Sequence, residues 1–149
     1  MISTRTIART LAALALLLGM AAPAARAEGG FVVIRNAKNS SATINTAVLR
    51  DLLIGRAKKW PSGATVQLVL GKEDSAGLGW VASTYFSTSA TFLSAKIRQE
   101  VFKGELRNPL IPTGDADTIA KVKANEGALG VVSEGTALQA GVALVTVGD

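Results

Sequence analysis

At 149 residues the chain is long enough for one compact domain and short for two. Nearly half is apolar (48%) and only 18% is charged, so it has the material for a packed core and is not of disordered composition. Histidine and cysteine are both absent, which excludes serine–histidine and cysteine–histidine hydrolases, zinc and haem sites that need those ligands, disulfides and a lipid-attachment cysteine.

The net charge of +5 suggests nucleic acid until the basic residues are placed. Arg5 and Arg9 precede an uncharged run with an apolar centre over Leu11–Met20, then Pro23 and the small-residue exit Ala25-Arg26-Ala27. This is the pattern of a secretory signal peptide, and the centre is shorter than the roughly 18 apolar residues of a membrane span. We expect cleavage after Ala27, a periplasmic location, and no integral span in the mature chain. Removing residues 1–27 takes three arginines and no acids, which leaves residues 28–149 nearly neutral. Such a balance makes no large field, so nucleic acid is not an expected partner.

The mature part alternates strand and helix signals. Phe31–Ile34 is a short β-branched run of the kind found in buried strands. Asn39–Thr43 is a polar turn, after which Asn45 can cap a helix and Ile44 can staple onto Leu49. Val48, Leu49, Leu52 and Leu53 fall on one face of that helix, and Gly55 ends it. Lys58–Gly63, containing Trp60 and Pro61, is a turn before a second strand over Val66–Leu70.

Gly71–Ser75 leads out of that strand into a helix capped by Asp74 or Ser75. Two helical stretches follow, about Gly77–Ser87 and Ser89–Phe102, with Leu78, Val81, Tyr85, then Leu93, Ile97 and Val101 at helical spacing. Gly104–Pro112 is a loop. A helix from Asp115 or Asp117 to Asn125 stops at Gly127. Ala128–Val132 and Val142–Val147 are the third and fourth strands. The alternation predicts an α/β domain over residues 28–149 with a mainly parallel sheet and flanking helices.

Asp51-Leu-Leu-Ile-Gly55, then Lys58 and Trp60-Pro61-Ser62-Gly63, resembles the D-I-F-x-G…W-x-x-G signature of phosphate ABC transporter substrate-binding proteins. Phe102-Lys-Gly104 and Gly127-Ala-Leu-Gly-Val-Val132 are similar to that family's F-x-G and G-A-I-G-Y-V segments, with Leu53 and Val131 in place of its phenylalanine and tyrosine. The resemblance runs from Phe31 to Val132 and implies one lobe of a periplasmic-binding-protein fold, in a family whose members close two lobes on the ligand. Where phosphate-binding members carry an arginine and a Ser-Gly-Thr turn, this chain reads Lys72-Glu73-Asp74-Ser75-Ala76-Gly77. Ser75 matches the serine; Ala76 and Gly77 replace glycine and threonine, and Glu73 and Asp74 bring negative charge.

Lys72, Ser75, Ala76 and Gly77 are therefore the candidate ligand residues, since a strand running into a helix start offers free amides and a positive dipole end to an anion. The same turn also reads as a capped helix whose glycines relieve packing. Trp60 with Lys58 and Lys59 reads as a packed indole beside solvated lysines, and Trp80 with Tyr85 and Phe86 as core or groove wall. Asp115 and Asp117 suit a helix start better than a catalytic pair, which needs opposed carboxylates across a cleft. No motif sets a lysine beside a serine as a nucleophilic dyad.

The expectation is a non-enzymatic solute-binding-like domain, without cofactor or metal, that takes phosphate or a related small oxyanion weakly in an ABC-transport context. The competing expectation is a cell-envelope protein-interaction module that has lost its ligand, and a homodimer pairing two lobes would lie between them.

Overall fold

The computed structural model describes residues 30–149. The expected signal peptide over 1–27 and the expected first mature residue, Glu28, lie outside the described residues.

Strand β1 (Phe31–Asn36) is followed by a short β2 (Thr43–Asn45) and helix α1 (Thr46–Leu53). Asn45 caps α1, its side chain accepting from the Val48 amide at 2.8 Å. Leu49, Leu52 and Leu53 are buried on one face of α1, and Gly55 ends the turn beyond it at φ 78°, in the left-handed region where a side chain is strained. Next come β3 (Gln67–Val69), α2 (Ala76–Phe86), α3 (Ala90–Phe102) and α4 (Asp115–Ala124), then β4 (Ala128–Ser133), β5 (Val142–Leu144) and β6 (Thr146–Gly148).

The main sheet has the order β3-β4-β1-β5. The β3–β4 pair is parallel, with Leu68 opposite Leu129, whereas β1 runs antiparallel to both neighbours, with Val33 opposite Val131 and Ile34 opposite Leu144. The α/β class is as expected, but the parallel character is partial. The reason is physical: a strand buried on both faces reads as a continuous apolar run in either direction, so its composition does not reveal its polarity.

Burial on both faces is visible residue by residue. Val33, Leu68 and Leu129 pack with Leu49, Leu52, Leu53 and Trp60 on the α1–α3 side. Their chain neighbours Ile34 and Val69, with Val132, pack with Ile119 and Val122 of α4 on the other. The sheet is thus the middle of three layers.

The expected fourth strand divides in two. At Val145 the backbone amide donates to the Val33 carbonyl (2.9 Å), and one residue later the Thr146 amide donates to Ala42 (2.8 Å). The chain there leaves the main sheet, and β6 pairs in parallel with β2, a strand the polar composition of Asn39–Thr43 did not announce.

Trp60 is buried, and its indole N–H donates to the Gly127 carbonyl at 2.8 Å. The Gln67 amide donates to the same carbonyl at 2.9 Å, so Gly127 ties the Trp60 turn to the start of the β3–β4 pair. A Cβ at position 127 would overlap the Thr65 carbonyl oxygen, which explains glycine there.

Candidate functional site

Past Leu70 the chain turns sharply, the Ser75 amide donating to the Lys72 carbonyl at 2.9 Å. Ser75 caps α2 with extended backbone angles (φ −74°, ψ 141°), its hydroxyl accepting from the Leu78 amide at 3.3 Å. The amides of Ala76 and Gly77, at the first two helical positions, have no intrahelical acceptor by helix geometry. They sit at the positive end of an 11-residue helix. Opposing them is the charge of the turn itself. Glu73 reaches Arg98 of α3 at 3.7 Å, while Asp74 is exposed and Lys72 makes no ion pair among the described residues.

The four candidate residues share this turn but address two sides of it. Lys72, with Glu73, faces a groove against α3; Ser75, Ala76 and Gly77 are not part of its wall. Gly77 instead lies over Phe31 of β1 and Val131 of β4. Beside it Trp80 packs on Phe31 (ring centroids 5.9 Å) and meets Tyr85 edge-on (5.5 Å). Partial burial raises the Tyr85 phenol above its ordinary value. Trp80, Tyr85 and Phe86 are partly buried against the main core, the core side of the two readings.

The groove is a feature the sequence did not disclose. It measures about 650 Å³ and lies between the end of β3, α3 and the 108–111 loop. Ile97, Val101, Phe102, Pro109 and Ile111 supply apolar wall, and Lys72, Glu73 and Arg98 the charge. Phe102 is 93% exposed and Ile111 53%. Its faint signal was two apolar residues in a row, Val101-Phe102, where the helical stripe needs one, and Leu110-Ile111 between two prolines.

The remaining singled-out groups have partners of their own. Asp117 accepts from the Thr113 amide (2.9 Å) and pairs with Lys121 (2.8 Å). The Lys121 hydrogen bond, then that of Thr113, hold its carboxyl below the usual range. Asp115 accepts from the Thr136 hydroxyl at 3.4 Å. Both acids serve the α4 start, where negative charge is favourable. Trp60 is buried while Lys58 stays exposed and pairs with Glu105 at 2.9 Å, a packed indole beside surface lysines. No group of three or more acidic, histidine or cysteine side chains able to hold a metal occurs among the described residues, and none of their helices is long and apolar enough to cross a membrane.

No family model and no curated protein matches the sequence. Solved structures do resemble the fold. An ABC-type phosphate transport receptor from Vibrio cholerae aligns with a TM-score of 0.61 at 14% identity, over 79% of this chain and 46% of that one. PstS from Borrelia burgdorferi aligns with a TM-score of 0.58 at 14% identity, over 78% of this chain and 46% of that one. The chain therefore has a fold of the periplasmic-binding-protein kind. It resembles phosphate ABC transporter substrate-binding proteins and spans about half the length of those structures. At such identity the likeness establishes fold, not activity.

Proposed function

We propose that residues 28–149 form a periplasmic, exported, non-enzymatic solute-binding-type domain that takes phosphate or a related oxyanion weakly at the start of α2, in an ABC-transport context. One observation carries the reading: β3 delivers the chain through a tight turn into a Ser75-capped helix whose Ala76 and Gly77 amides are free to receive an anion. The fold neighbour named as an ABC-type phosphate transport receptor supports it. Weakness follows from the same turn. Ser75 Oγ accepts from the Leu78 amide and keeps only its own O–H to donate, Ala76 and Gly77 bring no side-chain donor, and Glu73 and Asp74 repel. A single turn also leaves much of the anion hydrated, with few charge-assisted bonds gained.

Phosphate titrated into ¹⁵N-labelled protein should shift the Ala76 and Gly77 amides first, with saturation at millimolar concentrations. Shifts confined to surface lysines, with these two amides unmoved, would overturn the reading. A second reading, an envelope interaction module or a homodimer of two lobes, is supported by the exposed Phe92, Phe102, Ile111 and Leu144. A concentration-dependent mass in solution, without amide shifts on phosphate, would favour it.

A further inference from the structure

We infer that the groove between the end of β3, α3 and the 108–111 loop is a second binding site, for an amphipathic monoanion: an apolar chain ending in a carboxylate or similar head. Its size, about 650 Å³, falls within the range of small-molecule sites, roughly 300–1,000 Å³. It is a cleft with three walls from separate stretches of chain. Two of those walls are apolar. Ile97 and Val101 line it from α3, Pro109 and Ile111 from the loop, and the exposed ring of Phe102 stands beside them. An apolar body is what such a surface withdraws from water.

Charge selects the head group. Lys72 and Arg98 both line the groove, and Glu73 is the one acid among its lining residues. Arg98 meets Glu73 at 3.7 Å, a separation that leaves its fork open to a second acceptor, and also donates to the Ser94 hydroxyl at 3.0 Å. Lys72 makes no ion pair among the described residues. The lining carries one surplus positive charge beside an apolar bed, which matches a single negative charge on an apolar chain. The apolar bed of this site lies apart from the amides at the start of α2, and the two share only the charged residues Lys72 and Glu73 of the turn.

Calorimetry with octanoate, decanoate and dodecanoate, all below their micellar concentrations, tests this on the whole chain. Affinity should rise about threefold to fourfold for each methylene added, the increment expected for a buried chain. Dodecanol should bind more weakly than dodecanoate, and excess inorganic phosphate should not displace dodecanoate. Ile111→Glu, an exposed change that leaves the core alone, should weaken dodecanoate at least tenfold, and Arg98→Gln severalfold. Circular dichroism would verify that both variants fold. No dodecanoate binding, affinity independent of chain length, or binding indifferent to both variants would overturn the inference. So would co-sedimentation with phosphatidylglycerol vesicles without binding of free dodecanoate, which would make the patch a membrane contact. A dimer that Ile111→Glu dissociates would also overturn it, by assigning the groove to a second copy.

Discussion

Glu73, at the mouth of the α2 turn, lies 3.7 Å from Arg98 of α3 and so draws a cation to the side of the candidate anion site. An uncompensated carboxylate about 4 Å from an anion would cost roughly 4 kcal/mol at an effective dielectric near 20. Solvent and the Arg98 partner reduce that to about 1 kcal/mol, the scale of an exposed pair. Glu73→Gln removes the repulsion and frees Arg98. Phosphate affinity should then rise about threefold to tenfold, and Asp74→Asn should add a similar step. Glu105→Gln, which breaks only the pair with Lys58, should leave it unchanged. Calorimetry on the three variants checks the ranking.

Stability rests on the α1 face and the Trp60 turn. Leu52 and Leu53 are both buried beneath the sheet, and either change to alanine should cost about 2–5 kcal/mol in chemical denaturation. Trp60→Phe loses the bond to the Gly127 carbonyl, which keeps the Gln67 amide, so the loss should be nearer 1–2 kcal/mol. Gly127→Ala forces a methyl group into Thr65 and should cost about 1–3 kcal/mol or more. An unchanged midpoint for Gly127→Ala would show that the β3–β4 start is laxer than this geometry.

These contacts bear on how far the fold could be read in advance. Asn45 as a cap, Ser75 as one of two possible caps, and the Leu49–Leu52–Leu53 face were legible because each depends on residues within a turn of one another. Strand polarity was not legible, since Val33 and Ile34 are buried on opposite faces whichever way β1 runs. The β2–β6 ladder was hidden because its two three-residue strands are a hundred positions apart and gain their meaning only when paired. The candidate turn was visible as a strand-to-helix junction. The groove beside it was not, because three distant stretches meet there and no local spacing records that.

Acid should destabilise the protein through two carboxylates. Glu100, held below its ordinary range first by the Lys96 hydrogen bond and also by Lys103, and Asp117, held down first by Lys121, are both lowered in the folded state. A lowered acid contributes stability that is present above its unfolded value, about 4, and is lost as pH falls through the folded value. The thermal midpoint should therefore be flat between about pH 7 and 5 and fall below about pH 4. Glu100→Gln should lower the midpoint at pH 7 and flatten the acid slope. A midpoint that rises on acidification would contradict the assignment.

The proposed export, motivated by the Arg5/Arg9 start and the Ala25-Arg26-Ala27 exit, has its own test. Intact mass and terminal sequencing of protein recovered from the periplasm should give Glu28 as the first residue. Recovery from the cytoplasm with Met1 retained would contradict it.

The most direct test is isothermal calorimetry of phosphate against the monomeric protein starting at Glu28, at fixed ionic strength. Free amides at the α2 start, opposed by Glu73 and Asp74, predict a dissociation constant of millimolar order or weaker, about −4 kcal/mol or less favourable. A micromolar constant for the monomer would contradict the account, because it would mean that this one turn, acids included, suffices for tight capture.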